Sequence, residues 1–344
     1  MGCTHCGSIT TGQFAEAIQP GAQYGSGVKA FGVYALVYQL LPLQRTQELF
    51  RDVFKCPLSE GTLVNIVQGC VQLVTPIQAQ VKNALRLASV AHFDETGLRI
   101  AGKLHWLHNT RNTPSRGCTL QLTYYAIDPK RAGLAFTRIG ILPKFQGVAV
   151  HDAVPSYMKV DIKHALCNAH LLRELVALEE HTPQRWPSKL KGLLIEMKDE
   201  VALALTGGAT QLPLDILERL ESNYDRLVKR ALQANPRPQR QPGQKGRIRG
   251  SPATNLAERL HNKKTCILRF IYDFNVPFDN NLAERDIRMT KVKQKISGGF
   301  RTVEGAEAFA TIRGYISTLR KQGHAPVSAL RQLFDGNPVE ICLA

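Results

Sequence analysis

The spacing of apolar positions predicts helices over residues 26–86. Hydrophobic side chains recur there every three to four residues, and Pro42 ends the first helix. Thr46 is a candidate cap for a second, short helix, and Ser59 opens a third. Helix, tight turn and capped helix form a helix-turn-helix pattern, which is typical of DNA-binding domains and also of other small helical bundles. We therefore predict a small all-helical domain of helix-turn-helix type and leave its contact with DNA open.

The pattern changes to that of β-strands over residues 87–184. Apolar alternation and short apolar runs predict strands at 89–94, 103–110, 121–127 and 147–150, and a further short apolar segment at 163–166. The first strand is expected to end in a polar turn at Glu95–Gly97, and residues 134–139 are ambiguous. Three early strands joined by short turns pair antiparallel, and a strand that follows a crossover can add in parallel. This α/β outline predicts a ribonuclease-H-like core.

Helical spacing returns after the predicted strands. A helix begins at Asn168, and residues 185–275 form a mostly helical insertion that contains a basic loop at 234–252 with almost no apolar residue. Two late helices, at 278–295 and 303–322, would complete the core. The predicted divisions of the chain are 1–25, 26–86, 87–184, 185–275, 276–325 and a C-terminal tail at 326–344.

The charge balance adds information about partners. The chain has 344 residues with 44 Lys+Arg against 28 Asp+Glu, a formal net charge of +16. Such an excess favours a polyanion partner, most commonly nucleic acid, although some basic proteins have none. The longest apolar stretch, residues 28–43, is interrupted by Lys29, Gln39 and Pro42, so we expect no membrane-spanning helix. Eight scattered cysteines favour a reducing, cytoplasmic compartment.

Three acidic residues occupy positions that suit phosphodiester chemistry. Asp94 ends the first predicted strand, Asp152 follows the fourth, and Glu284 lies on the first late helix. Cleavage and transfer of a phosphodiester use two divalent ions about 4 Å apart, and Mg²⁺ prefers carboxylate oxygens. Each residue alone has a simpler explanation, because a strand-terminal Asp is commonly a turn residue and Glu284 can pair with Arg288. Period-two alternation points Glu95 away from Asp94.

Several segments resemble the IS66 family of bacterial insertion-sequence transposases. The similarity extends over about residues 22–330 and is most specific at NNLAERDIRMTKVKQKISGGFR, residues 280–301. The other matching segments are 34–41, 45–60, 92–97, 104–107, 151–152 and 164–175 (HALCNAHLLREL). The resemblance implies a ribonuclease-H-like catalytic domain with a helical insertion between the second Asp and the Glu. It also places Asp94, Asp152 and Glu284 on the catalytic, metal-binding triad of that family.

The resemblance further implies an activity and its partners. A DDE-type transposase cleaves the ends of a mobile element and transfers them into target DNA, with two Mg²⁺ or Mn²⁺ ions as cofactors. Water would attack a phosphodiester at the element end, and the freed 3′-hydroxyl would then attack the target. The expected partners are the terminal inverted repeats, target DNA and further copies of the chain in a homodimer or larger assembly. Companion proteins encoded by the element are an open alternative, and the expected location is the bacterial nucleoid.

A basic stretch follows Glu284 and is a candidate DNA-binding surface. Its side chains are Arg285, Arg288, Lys291, Lys293, Lys295 and Arg301. Charged runs of this kind are usually solvated faces, but beside a phosphodiester-cleaving site contact with DNA phosphates is favoured. Tyr157 and Trp106 are candidates for stacking on bases, although core packing is the default for Trp106.

Two cysteine motifs raise the question of zinc. Cys167 and His170 have a C-x-x-H spacing that resembles a signature of several DDE families. Zinc needs two further ligands, none of which is evident, so we expect structural packing near the active site and no zinc. Cys3 and Cys6 look like half of a zinc ribbon, and the resemblance therefore implies an N-terminally shortened family member in which residues 1–25 are a remnant and linker.

One departure from the family supports an alternative function. Val154 stands where family members often have Trp, two residues after Asp152. Together with the short N-terminus, this departure supports a catalytically silent DNA-binding remnant of a transposase. The intact triad favours an active enzyme instead. A general structure-selective nuclease, which would need no inverted repeats, is a third alternative.

Overall fold

A five-stranded mixed sheet forms the centre of the chain. The computed structural model describes residues 4–8, 24–114, 120–239 and 248–343. The strands are β1 (Val90–Ile100), β2 (Lys103–Asn112), β3 (Thr123–Asp128), β4 (Val148–His151) and β5 (Lys163–Leu166). Their order is β3-β2-β1-β4-β5, with antiparallel pairing among the first three and parallel pairing of β4 and β5. The predicted α/β class and the change from antiparallel to parallel pairing are therefore confirmed.

The first strand is longer than predicted. Glu95–Gly97 is not a turn but lies inside β1, where Glu95 pairs with His108. The hairpin instead turns at Ala101 and Gly102, both with positive φ (47° and 75°), as a tight two-residue turn requires. Polar residues made this part of β1 resemble a turn. These polar residues are nevertheless part of the strand, because β2 pairs with β1 from Ala91 to Ile100.

The N-terminal helices are α1 (Ser26–Val33), α2 (Leu43–Asp52) and α3 (Glu60–Leu87). Ser59 caps α3 as predicted, since its hydroxyl accepts a hydrogen bond from the backbone N–H of Thr62 at 3.0 Å. The predicted cap at Thr46 is wrong. Helix α2 begins directly after Pro42, and the Thr46 hydroxyl donates to the Pro42 carbonyl at 3.0 Å.

Two C-terminal helices complete the same core as the N-terminal ones. They are α12 (Val303–Lys321) and α13 (Pro326–Phe334). One hydrophobic cluster joins Leu63 of α3, Leu122 before β3, and Tyr315 of α12. The backbone N–H of Thr123 also donates to the Thr318 hydroxyl at 3.0 Å. Segments that are far apart in the sequence therefore pack as neighbours.

The remaining helices surround the other parts of the sheet. They are α4 (Leu134–Ile139), α5 (Asn168–His181), α6 (Trp186–Thr206), α7 (Leu214–Ala234), α8 (Pro252–Asn262), α9 (Lys264–Ile267), α10 (Arg269–Tyr272) and α11 (Asn281–Ser297). The ambiguous segment at 134–139 is thus helical, and α11 begins at Asn281 rather than at residue 278. Alternate residues of β4 enter different cores: Val148 and Val150 pack with α5 to α10, whereas Ala149 packs with α4.

Two predicted features lie partly outside the described residues. They are the ribbon remnant, of which Cys3 is not described, and residues 240–247 of the basic loop. Among the described residues, no helix combines the length and the hydrophobicity that crossing a membrane requires.

Candidate active site

Asp94 lies in β1 at the point where one neighbouring strand ends. Parallel pairing between β1 and β4 runs only from Val90 to His92, so Asp94 extends two residues beyond it. Its side chain is on the same face of the sheet as His92. Glu95 points to the opposite face, where its carboxylate accepts hydrogen bonds from Arg131 at 2.8 Å and from the Tyr157 hydroxyl.

Asp152 follows the end of β4 and is positioned by the neighbouring strand. The backbone N–H of Cys167, just after β5, donates to the His151 carbonyl at 3.0 Å. The buried His151 ring stacks on Tyr157, with ring centroids 4.6 Å apart, and lies 2.8 Å from His164 between ring nitrogens. Burial lowers the pKa of His151 to about 4, so this ring is neutral packing beneath Asp152.

Glu284 lies in the first turn of α11, and Asn280 fixes the start of that helix. Asn280 is fully buried, and its amide donates to the Phe93 carbonyl at 3.0 Å while its Oδ1 lies 2.7 Å from Nδ1 of His92. Its backbone N–H donates to Sγ of Cys167 at 3.1 Å. Asn280 therefore connects the segments that carry all three predicted catalytic carboxylates. The sequence analysis did not identify Asn280 as a functional residue. The available signal was its position in the NNLAER motif, four residues before Glu284.

The negative charges of Asp152 and Glu284 influence Asp94 electrostatically. Burial raises the pKa of Asp94 to about 7, with further contributions from the negative charges of Asp152, Glu95 and Glu284. A hydrogen bond from the Glu95 backbone N–H to Oδ1, at 2.8 Å, opposes this rise. Such a group is most stable when protonated or when a cation lies beside it.

Two oxygens of this cluster are buried without a hydrogen-bond partner in the described part of the chain. They are Oδ1 of Asp152 and Oε1 of Glu284. Buried acceptors of this kind normally find a donor, so their free state suits a cation that binds carboxylate oxygens. The carboxylates of Asp152 and Glu284 therefore fit the hard divalent ions that the sequence predicts.

His170 is a positive group inside the same cluster. Its Nδ1 lies 2.9 Å from Oδ1 of Asp152 and 3.7 Å from Oε1 of Glu284. The 2.9 Å contact does not have the alignment of a hydrogen bond, since both atoms remain without a hydrogen-bond partner. Asp152, followed by Cys167, raises the pKa of His170 to about 10. The imidazolium thus offsets part of the carboxylate charge.

Cys167 completes a group of four side chains whose chemical types are common metal ligands. It is 2% exposed and precedes α5, while His170 lies in the first turn of that helix. One donor atom each from Asp152, Cys167, His170 and Glu284 lies within 4.8 Å of the others. The sequence offered the C-x-x-H spacing but gave no sign that these two residues meet the two carboxylates.

A second buried charge cluster lies behind α11. Asp286 accepts a hydrogen bond from Lys321 and lies 3.5 Å from the Arg111 guanidinium, while its backbone carbonyl accepts from the Tyr125 hydroxyl at 3.0 Å. Burial lowers the pKa of Lys321 to about 8, an effect that the neighbouring Asp286 charge opposes. Sequence reasoning missed this cluster because its members are far apart along the chain.

The predicted DNA-binding side chains differ in their surroundings. Arg285, Arg288, Lys291, Lys295 and Arg301 are exposed. Residues 288, 291 and 295 follow Glu284 by four, seven and eleven positions, so they continue its face of the helix. Lys293 is half-buried, and burial lowers its pKa. Lys291 donates to the Gly97 carbonyl at 2.8 Å and thereby also ties α11 to β1.

The predicted base-stacking role of Tyr157 is wrong. The ring is 2% exposed and packs between His151 and Phe136, because its hydroxyl bonds Glu95 on the inner side of the sheet. Trp106 is half-buried and lies beneath the Arg131 guanidinium, 4.8 Å from its ring centroid.

Comparison with known proteins agrees with the sequence motifs. The family described as Transposase IS66 family matches residues 21–308, which is most of the chain. No curated protein matches the chain. The match includes the segments that carry Asp94, Asp152 and Glu284, and the structure brings these segments together at one edge of the sheet. This chain belongs to the IS66 family of transposases.

Proposed function

We propose that the chain is a DDE-type DNA transposase, with Asp94, Asp152 and Glu284 as its catalytic carboxylates. The observation that carries the proposal is the convergence of these three side chains, with two buried oxygens that lack hydrogen-bond partners. The strand order β3-β2-β1-β4-β5, with its antiparallel and parallel halves, supports a ribonuclease-H-like core. The helices α6 to α10 correspond to the insertion between the second Asp and the Glu.

The three carboxylates would hold two Mg²⁺ or Mn²⁺ ions. When bound, these ions supply activation of the attacking oxygen and stabilisation of the leaving oxygen of a phosphodiester. Asp94 would help to hold these ions together with Asp152 and Glu284, whose negative charges contribute to the raised pKa of Asp94. Asn280 orients the carboxylates by holding α11 against β1. His170, whose Nδ1 lies 2.9 Å from Asp152 and 3.7 Å from Glu284, offsets part of their negative charge.

Two basic surfaces adjoin the carboxylates and support a DNA path. One is the exposed side of α11, with Arg288 and Lys295. The other is an open cleft of about 920 Å³ whose lining includes Ala153 next to Asp152, and the basic residues Arg249 and Lys263. Phosphate contacts from such surfaces would set the position and affinity of DNA without reading its sequence.

The helix-turn-helix segment supplies a candidate sequence reader. Asn65, Gln68 and Gln72 are exposed and lie within about 60° of one another around α3. Amide side chains can bond adenine through two hydrogen bonds in the major groove. Exposed Arg45 on α2 is placed to contact the backbone beside it. We propose that this face binds the terminal inverted repeats of the element.

Membership of a transposase family also indicates which partners to propose. Transposition joins two element ends to a target, so we propose a homodimer or larger assembly on DNA in the bacterial nucleoid. Companion proteins encoded by the element are a further proposed requirement.

A cleavage assay tests the enzyme directly. The substrate is a labelled duplex that carries the terminal repeats of the element, incubated with the full chain and Mg²⁺ or Mn²⁺. We expect nicks at the element end that disappear in Glu284→Gln and persist in Glu307→Gln, a matched change at an exposed glutamate of α12.

Two other outcomes separate the alternatives. Binding without cleavage in every variant, even after companion proteins are added, would contradict the enzyme and support the silent DNA-binding remnant. Equal cleavage of duplexes with and without the repeats would support a general nuclease.

A further inference from the structure

Four side chains of unlike chemistry form a compact group at the carboxylate cluster. They are Asp152, Cys167, His170 and Glu284, and their donor atoms lie within 4.8 Å of one another. In a closed tetrahedral zinc site, bond lengths of about 2.0–2.3 Å place neighbouring donors roughly 3.5 Å apart. The Nδ1 of His170 is 3.7 Å from Oε1 of Glu284 and 2.9 Å from Oδ1 of Asp152. Small side-chain rotations would therefore bring all four to binding distance.

The backbone positions this group before any ion binds. Cys167 immediately precedes α5 and His170 is in its first turn, a separation that brings the two side chains to the same side of a helix start. Cys167 is also bonded through its backbone N–H to His151, the residue before Asp152. Asn280 joins the Cys167 sulfur to the start of α11, which carries Glu284. All four ligands are thus on rigid elements that are bonded to one another.

Packing alone does not account for the cluster. A packing role would explain why Cys167 is buried. It would not explain why Oε1 of Glu284 is buried without a hydrogen-bond partner in the described part of the chain. Nor would it explain why Oδ1 of Asp152 and Nδ1 of His170 lie 2.9 Å apart without the alignment of a hydrogen bond. The hydrogen bond from the Asn280 backbone N–H to Sγ, at 3.1 Å, is the kind of contact that orients a metal-binding thiolate.

We propose that Asp152, Cys167, His170 and Glu284 form a four-ligand site for one transition-metal ion, with Zn²⁺ as the ion that fits best. A thiolate and an imidazole favour ions such as Zn²⁺ and Co²⁺ over Mg²⁺, which prefers oxygen ligands. The two ligands that the sequence lacked beside C-x-x-H are thus the second Asp and the Glu. Binding displaces the protons of the thiol and the imidazole.

The site shares two carboxylates with the proposed catalytic set but does not depend on DNA cleavage. It implies that the metal position between Asp152 and Glu284 discriminates between metals, whereas the position at Asp94 has only oxygen ligands. Because four protein ligands leave no open position for substrate, a transition-metal ion bound here would inhibit a Mg²⁺-dependent enzyme. Metal binding can be measured whether or not the chain cuts DNA.

Co²⁺ binding to the full-length, metal-free protein tests the site. Cys3→Ser and Cys6→Ser are introduced first, so that the N-terminal cysteines cannot bind the ion. We expect one Co²⁺ per chain, with a thiolate-to-cobalt absorption band that Zn²⁺ removes and that a large excess of Mg²⁺ does not. Cys167→Ser should abolish the band, while Cys266→Ser, at a half-buried cysteine of α9, should preserve it.

His170→Ala provides a second test in case Cys167→Ser does not fold. The His170 side chain is 34% exposed, so its loss should be tolerated structurally. Affinity for Co²⁺ should fall by more than the roughly 10- to 100-fold that loss of an outer hydrogen-bonding partner costs. The proposal is overturned if the Cys3→Ser, Cys6→Ser protein with all four proposed ligands intact shows no thiolate-to-cobalt band. It is also overturned if the band survives Cys167→Ser, or if His170→Ala leaves the affinity for Co²⁺ unchanged. A normal band in a chain that does not cleave DNA would contradict only the proposed transposase activity.

Discussion

Helix α11 carries two carboxylates, two residues apart, whose surroundings are opposite in character. On one side Glu284 joins the acidic cluster, and its Oε1 is buried without a hydrogen-bond partner in the described part of the chain. On the other side Asp286 is bonded by Lys321 and Tyr125 and lies close to Arg111. Cations also lie near Glu284, His170 at 3.7 Å and Arg173 at 3.6 Å, but neither contact gives Oε1 a hydrogen bond. We therefore call the cluster at Glu284 the unsatisfied cluster and the cluster at Asp286 the satisfied cluster.

This difference indicates what each cluster does. Buried polar groups that serve stability are normally paired, because an unpaired one loses its hydration without compensation. The cluster at Asp286 follows this rule and anchors the helix. Oε1 of Glu284 departs from this rule, and the raised pKa of the nearby Asp94 is a feature that is common at functional sites. The carboxylate assigned to the candidate site and the carboxylate that anchors the helix are thus about half a helical turn apart on α11.

The largest expected effect is the loss of activity at the unsatisfied cluster. If Asp94 has its proposed role as a metal ligand, Asp94→Asn should lower the rate of metal-dependent strand cleavage at least about a thousandfold, because several kcal/mol of transition-state stabilisation are lost. Single-turnover cleavage of an element-end duplex measures this rate. The same variant should unfold at a higher temperature than the metal-free wild type, since an unfavourable buried charge is gone. A lower unfolding temperature would contradict the contrast between the two clusters.

The satisfied cluster should show the reverse pattern. Asp286→Ala leaves Arg111 and Lys321 buried without their partner, so the free energy of unfolding should fall by about 3–5 kcal/mol. Urea unfolding measures the change. Asp335→Ala is the control, because Asp335 forms an exposed pair with Arg331 at 3.9 Å that is worth about 0–1 kcal/mol. If the two substitutions lowered the free energy of unfolding equally, the result would contradict an anchoring role of Asp286.

A pH dependence sharpens the comparison further. The folded-state pKa of Asp94, about 7, is raised above its ordinary value of 3.8. A raised carboxyl pKa contributes stability that is fully present below pH 3.8 and is lost as the pH rises through 7. Between pH 5 and 8 the metal-free wild type should therefore lose on the order of 2 kcal/mol relative to Asp94→Asn. Thermal melts of both proteins at several pH values measure the difference, and parallel curves would show that Asp94 does not titrate in this range.

The smallest effect concerns the exposed residues further along the face of Glu284. Lys295→Ala should weaken DNA binding of every sequence by a similar factor and lower the slope of log affinity against log salt by about 1. Fluorescence anisotropy at several salt concentrations measures both. Lys229→Ala, at an exposed position of α7, should leave the slope unchanged. If both substitutions lower it equally, the α11 face has no special contact with DNA.

Sequence periodicity predicted most of the elements but not all of their ends. The helix that starts at Asn168 and the short strand β4 follow from clear apolar patterns with polar flanks, and the apolar segment predicted at 163–166 is strand β5. The extension of β1 through Glu95 was missed, since a polar stretch inside a strand depends on pairing with β2. The cap at Thr46 was misplaced for a related reason, because Pro42 already begins that helix.

The candidate site was predicted in part. The identity of Asp94, Asp152 and Glu284 came from the motif HFDETG, the dipeptide HD and the segment NNLAER. The roles of Asn280 and His170 did not emerge, because a side-chain contact with a residue more than a hundred positions away leaves no local pattern. Tyr157 was taken as a possible base-stacking residue, since nothing near it in the sequence reveals that Glu95 holds it inside the protein.

The sequence by itself determined the class of the chain, its basic character and the residue types of its carboxylate motifs. These properties depend on composition, on local hydrophobic periodicity and on short sequence motifs. Only the tertiary structure decided that residues 152, 167, 170 and 284 have donor atoms within 4.8 Å of one another. It also decided that Oε1 of Glu284 is buried without a hydrogen-bond partner in the described part of the chain, while the Asp286 carboxylate accepts a hydrogen bond from Lys321. Burial and long-range pairing set these properties, and both depend on how the sheet and α11 pack against each other.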